Sequence, residues 1–239
     1  MQIKECIILA GGLGTRLRSE VPDLPKCLAP VAGKPFLHWV IRHLLSQKVE
    51  TFIFSVGYMH EKTEAFIAKE YPGLPVKFSA ETTPLGTGGA IKFAFRQCSG
   101  SDVMAVNGDT LFETDHDRLM YYHLENNAAC TLALKPVTDS DRYGSVETDE
   151  RGNIISFREK TFIRAGLING GVYLLNRQRF EDAGLPEIFS FEKDYLEKSV
   201  GAQKMIGVRD DGYFIDIGIP ADLEKANIEI KQKFNASAE

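Results

Sequence analysis

The 239 residues are 44% hydrophobic and 26% charged, the balance of a soluble globular chain long enough to bury its core as one large α/β domain. A net charge of −5 argues against a nucleic-acid or anionic-membrane surface, so any polyanion would need a local positive pocket. No apolar run reaches membrane-span length, no signal-peptide profile opens the chain, and four scattered cysteines without a C-x-x-C pair point to a reducing cytoplasm.

The first element is the apolar run Cys6-Ile7-Ile8-Leu9, short and β-rich enough to be a buried strand over Cys6–Ala10. Gly11-Gly12-Leu13-Gly14-Thr15-Arg16 follows at once, and Lys26 comes soon after in Leu24-Pro25-Lys26. Glycines let the backbone turn sharply and bring its N–H groups against a ligand, and the two cations supply charge for an anion. Strand, glycine loop and Arg/Lys pair together describe a polyphosphate cradle, with a plain surface turn as the simpler alternative. A dinucleotide fingerprint needs glycine where Leu17 stands, and a P-loop needs glycine where Leu28 stands, five before the Gly33-Lys34 pair.

Further strands are predicted at Thr51–Val56, Val76–Ala80 and Val103–Asn107, with helices over Phe36–Ser46, Glu61–Glu70 and Gly88–Arg96. Thr87 is a fair N-cap for the third helix, and Pro35 suits a first helical turn. This alternation predicts right-handed βαβ units and a mostly parallel sheet across residues 1–128. Residues 129–233 change character, with short strands at Ala129–Lys135, Ser145–Thr148, Ile154–Glu159 and Gly170–Leu175. They read as an antiparallel or mixed elaboration of the same sheet. A last helix runs from Pro220 to about Lys233, and 234–239 form a frayed tail.

Five segments carry the chemistry. Asn107-Gly108-Asp109 closes the fourth strand, where a lone aspartate aimed at the crevice suits magnesium held between carboxylate and substrate phosphates; a turn aspartate is the alternative. Asp216 interrupts the apolar run Phe214-Ile215-Asp216-Ile217-Gly218 and therefore wants a cation, either a metal or a basic side chain. Glu81 precedes the glycine-rich Pro84-Leu85-Gly86-Thr87-Gly88-Gly89, a surface that could accept a flat base. An ionised carboxylate only accepts, which favours the two adjacent donors of guanine over the donor–acceptor edge of uracil or thymine. Glu159-Lys160 ends one strand and Asn169-Gly170-Gly171 begins the next, groups suited to sugar hydroxyls and a second phosphate. The five histidines have no zinc-ligand spacing, and His38 and His43 read as ordinary, partly exposed helix residues.

Taken in order, these motifs resemble the nucleotidyltransferases that make nucleoside-diphosphate sugars, whose G-G-x-G-T-R-(x)n-P-K signature stands here as Gly11–Arg16 and Pro25-Lys26. The likeness runs through Leu85–Ala90, Asn107–Asp109, Tyr143-Gly144, Glu159-Lys160, Asn169–Gly171 and Phe214–Gly218. It is nearest to the heptose-1-phosphate guanylyltransferases, which share an ending like Ile215-Asp216-Ile217-Gly218-Ile219-Pro220. Mannose-1-phosphate guanylyltransferases are similar, as are N-acetylmuramate-1-phosphate uridylyltransferases, which can also place glutamate at the Glu81 position. The resemblance implies a single domain with a Rossmann-like fold and a mixed sheet, residues 1–128 its nucleotide-binding half and 129–233 its sugar-phosphate-binding half. It also implies a reaction between an NTP (GTP favoured) and a sugar 1-phosphate (heptose favoured), and a role in bacterial surface polysaccharide synthesis. It implies that Gly11, Gly12, Gly14 and Thr15 wrap the nucleotide phosphates, with Leu9, Ala10 and Pro84 beside the nucleotide. Arg16 would neutralise the departing pyrophosphate, Lys26 hold the phosphates, and Lys160 the sugar phosphate. Glu81 and Gly86 would read the base, Asp109 and Asp216 bind Mg2+, and Tyr143, Gly144, Glu159 and Asn169 surround the sugar. No hexapeptide repeats follow the last helix, so a second, acyltransferase activity is not expected, while a homodimer is compatible with the chain. A sensing protein that binds nucleotide sugars without chemistry would keep the pocket and lose Arg16, Lys26 or an aspartate, and all are present.

Overall fold

The computed structural model describes residues 3–12, 14–140, 143–158 and 163–235. Its first half alternates strands and helices: β1 (Glu5–Leu9), the two-residue strands β2 (Pro30–Val31) and β3 (Lys34–Pro35), α1 (Phe36–Ser46), β4 (Thr51–Val56), α2 (His60–Glu70), β5 (Val76–Ala80), α3 (Gly86–Ala94) and β6 (Asp102–Asn107). Then come β7 (Thr110–Phe112), α4 (His116–Glu125), β8 (Cys130–Ser140), β9 (Ser145–Thr148), β10 (Ile154–Arg158), β11 (Ile163–Asn176) and α5 (Arg177–Asp182). A π-helical turn (Phe191–Leu196) leads into the short α6 (Glu197–Ser199), followed by β12 (Met205–Arg209), β13 (Phe214–Asp216) and α7 (Pro220–Asn235).

One nine-stranded sheet runs through both halves in the order β10-β9-β11-β6-β1-β4-β5, with β8 on β11 and β12 on β8. The β6-β1-β4-β5 block is parallel, whereas β11 joins β6 antiparallel. Strand residues are apolar on both faces because both are covered. Cys6, Ile8, Phe52 and Phe54 pack toward α1, α2, α4 and α7, and Ile7, Ile53, Val103 and Ala105 toward α3, α5 and the π-helical turn. Among the described residues no helix is long and apolar enough to cross a membrane. All four cysteines are buried and free.

Four local expectations change. Pro35 is the N-cap of α1 rather than a residue of its first turn. Thr87 lies inside α3, whose N-cap is Leu85 without a side-chain bond; Thr87 Oγ1 instead accepts the N–H of Phe191 at 3.0 Å. Asn169-Gly170-Gly171 sits inside β11, not at a strand's start, where the β8 register shifts between Asn169 and Tyr173. A bulge there re-aims side chains within an otherwise continuous strand. Finally, the sequence pattern predicts no element at β2, β3, β7, α4, α5, the π-helical turn, α6, β12 or β13: α4, for one, carries only Leu119 and Met120 as buried aliphatic side chains, too weak a stripe to read as a helix.

Candidate active site

The carboxyl ends of β1, β4, β5 and β6 lie along one edge of the sheet, where backbone amides and loop residues open into a crevice. A first cleft of about 530 Å³ opens there, lined by Leu9, Ala10, Gly11, Gly12, Lys26, Glu81, Pro84, Gly86 and Asp109. Tyr58, just beyond β4, lines it too; Arg18 lies over its ring at 4.9 Å. Position at the end of a parallel strand was the signal that could have found Tyr58. Gly14 and Thr15 are not among the lining residues of the clefts described here. Gly14 instead turns the chain with φ +57°, and a Cβ on it would lie 3.1 Å from Cβ of Lys26, so glycine lets the loop and the Lys26 segment touch.

Glu81 Oε2 accepts the N–H of Leu85 at 2.9 Å, which fixes the carboxylate at the mouth of the loop before α3. Burial pushes its carboxyl above the ordinary range, and the Leu85 N–H works against that rise. Gly86 reaches the cleft, but Gly88 and Gly89 are buried. Added Cβ atoms there would meet the Phe189 ring at 2.1 Å and the Glu187 carbonyl oxygen at 2.2 Å. Those two glycines admit a neighbouring segment rather than a flat base.

A second cleft of about 340 Å³ adjoins the first at Asn107, the last residue of β6, which lines both. Arg16, Tyr143, Gly144, Asn169 and Asp216 line it. Arg16 is exposed and makes no hydrogen bond or ion pair among the described residues. Asn169 is held by three bonds: its Nδ2 donates to Tyr173 Oη at 2.7 Å and to Glu192 Oε1 at 3.0 Å, and its Oδ1 accepts Gly171 N–H at 3.0 Å. Glu192 also lines this cleft, and no feature of the sequence singled it out. Glu159 and Lys160 lie outside the described residues.

Between the clefts stands a charge cluster that the chain assembles from distant segments. β13 pairs with β7 so that Asp216 faces Thr110, and Ile217 N–H donates to the Asp109 carbonyl at 3.0 Å. Lys26 Nζ donates to Asp109 Oδ2 and lies 3.9 Å from Asp216 Oδ1. Asp216 Oδ1 is buried and lacks a hydrogen-bond partner among the described residues. Burial, then the charge of Asp109, pushes the Asp216 carboxyl up, while the Lys26 ammonium opposes that rise. Both readings of Asp216, metal ligand and salt-bridge partner, thus converge on one place. Two carboxylates, one with an oxygen left unpartnered, fit a small divalent cation that takes its other ligands from water and phosphate.

The chain matches the family model described as "Nucleotidyl transferase" over residues 5–233. It is 48% identical over 227 residues to a D-glycero-alpha-D-manno-heptose 1-phosphate guanylyltransferase of Aneurinibacillus thermoaerophilus, covering 95% of this chain and 98% of that one. A protein of the same name from Campylobacter jejuni subsp. jejuni serotype O:2 is 43% identical over 218 residues, covering 91% and 96%. The crystal structure of HddC from Yersinia pseudotuberculosis complexed with GMP-PN aligns with a TM-score of 0.85 at 37% identity, covering 96% of this chain and all of that one.

Proposed function

The chain belongs to the nucleotidyl transferase family, and from that membership we propose that it transfers a guanylyl group from GTP to D-glycero-α-D-manno-heptose 1-phosphate, releasing pyrophosphate. The observation that carries this reading is the junction of two clefts at Asn107, with Lys26 set between Asp109 and Asp216 at that junction. The names of the two similar relatives, and the guanine nucleotide bound by the HddC structure, support the base and the sugar.

The chemistry needs no covalent nucleophile and no general base. A phosphate oxygen of the sugar 1-phosphate is already anionic near neutral pH. It forms a bond to the α-phosphorus of GTP, and the bond to the β-phosphate's bridging oxygen breaks, its electron pair leaving with pyrophosphate. What the protein supplies is in-line positioning and relief of repulsion between two polyanions. In this reading Glu81 accepts from the guanine edge, and the Gly11-Gly12 backbone and Lys26 hold the triphosphate. Arg16, expected at the departing pyrophosphate, lines the wall of the second cleft instead, and there it offsets charge from the sugar-phosphate side. Asp109 and Asp216 would hold magnesium, which when bound supplies further positive charge to the phosphates.

The test is pyrophosphate release from each of four NTPs crossed with heptose-, mannose- and N-acetylmuramate-1-phosphate. The heptose and GTP pair is expected to give the highest kcat/KM. Equal or greater turnover with UTP refutes the base assignment, greater turnover with mannose 1-phosphate refutes the sugar, and no release from any pair refutes the reaction.

A further inference from the structure

The second cleft contains a hydrogen-bond pattern that decides which of its polar groups remain open to a sugar. Asn169 can face only one way: its NH2 must meet the Glu192 carboxylate, which only accepts, and its Oδ1 must meet the Gly171 N–H, which only donates. Both amide hydrogens are then committed, to Tyr173 and to Glu192, and one of the two oxygen lone pairs is committed to Gly171. Asn169 retains a single acceptor site and nothing to donate. Glu192 is the reverse case. It is exposed at the cleft, and the one hydrogen bond its side chain makes among the described residues uses Oε1 alone, out of about four lone-pair sites on a carboxylate.

Glu192 is also held in place. It lies on the π-helical turn Phe191–Leu196, a rare local geometry that is frequent at functional sites. The turn is fixed at its start by reciprocal bonds, Ser190 N–H to Asp194 Oδ2 at 2.9 Å and Lys193 N–H to Ser190 Oγ at 3.3 Å. Phe191 is buried against Tyr173, ring centroids 4.8 Å apart, and its N–H is bound by Thr87 of α3. The backbone beneath Glu192 is therefore tied both to the bulged strand that bears Asn169 and to the helix that borders the nucleotide cleft.

We infer that Glu192 is a hydroxyl-reading carboxylate of the second cleft and that Asn169 is its positioning residue. A carboxylate with free lone pairs can accept from two vicinal hydroxyls of a pyranose at once, each as a charge-assisted bond. The sugar selected is then one that presents such a donor pair to this wall. This inference rests on the transferase reading above and names the group that recognises its acceptor.

The experiment measures KM for GTP and for the sugar 1-phosphate separately in wild type, Glu192→Ala, Glu192→Gln, Asn169→Ala and the Glu192→Ala/Asn169→Ala pair. Mannose 1-phosphate and its monodeoxy analogues serve alongside the heptose. Glu192→Ala is expected to raise the sugar KM about 10- to 100-fold, the range for losing hydrogen bonds to a charged group, with the GTP KM within twofold of wild type. Glu192→Gln, which keeps one acceptor, is expected to fall between. The wild type is expected to discriminate against at least one monodeoxy analogue, and Glu192→Ala to lose that discrimination. The pair is expected to be no worse than Glu192→Ala alone, as two residues acting through one contact should be. An unchanged sugar KM in Glu192→Ala, discrimination that persists in it, or fully additive losses in the pair overturns the inference. A wild type that turns over no sugar 1-phosphate overturns the transferase reading instead.

Discussion

Lys26→Met removes the cation that, among the described residues, lies between Asp109 and Asp216, while keeping most of its aliphatic volume. The Lys26 side chain is only 13% exposed, against 33% and 22% for the two carboxylates, so water screens the cluster partially. At 3.9 Å from Asp216, an effective dielectric of about 20 gives a gross attraction of about 4 kcal/mol. Desolvation and lost side-chain freedom offset part of that, and stripping one partner from a fully buried pair costs about 3–5 kcal/mol. For this partly buried cluster we expect a net loss of about 2 kcal/mol, a fall of roughly 4–8 °C in Tm for a domain of this size. Two facing carboxylates without their ammonium should also bind a divalent cation without first displacing it. Magnesium should therefore raise the Tm of Lys26→Met by more than it raises that of the wild type, while kcat/KM still falls by about 100- to 1000-fold. Thermal denaturation with and without magnesium, beside the pyrophosphate assay, reads all three. Identical melting temperatures and identical magnesium shifts in the two proteins would refute the argument.

Arg16→Ala should lower kcat/KM by at least about 100-fold and leave Tm unchanged, because Arg16 is exposed and unpaired among the described residues; a matched loss of Tm would mean that the residue is structural. Glu81→Gln opposes an amide to guanine's donors and should reduce the GTP-over-UTP preference by about 10-fold or more. Burial raises the Glu81 carboxyl, so the wild-type KM for GTP should climb as pH falls through that raised value, and the glutamine variant should show no such slope. A second stability test uses His116, which is 2% exposed, has no hydrogen-bond partner for either ring nitrogen among the described residues and packs edge-on against His43 at 5.2 Å. Burial, then the nearby His43, pushes its pKa down to about 3. The unfolded chain takes up a proton near pH 6.5 that the native state refuses until about pH 3, so stability is lost as pH falls through that window. His116→Phe removes this loss, and its advantage over wild type in urea should be about 2 kcal/mol larger at pH 5 than at pH 7; an equal advantage at both would sink the assignment.

The sequence alone determined whatever depends on neighbouring residues. The apolar runs gave Thr51–Val56, Val76–Ala80, Ser145–Thr148 and Phe36–Ser46 their limits, because strand and helix periodicities are written in adjacent side chains. Glycine spacing and the Arg16 and Lys26 cations likewise marked the loop after β1. Tertiary structure decided what is paired across long stretches of chain. Asp216 meets Asp109 only because β13 lies antiparallel to β7, and Lys26 meets both only because Gly14 lets its segment approach. Gly88 and Gly89 resembled a base-binding surface until the chain returned at Glu187–Phe189 to pack on them. Asn169 became a bulge residue rather than a strand's first residue, and an ordinary exposed glutamate, Glu192, was carried into the cleft by a π-helical turn. Such contacts follow from how covered faces pack against one another, and no local pattern of residue types records which distant segment will cover which face.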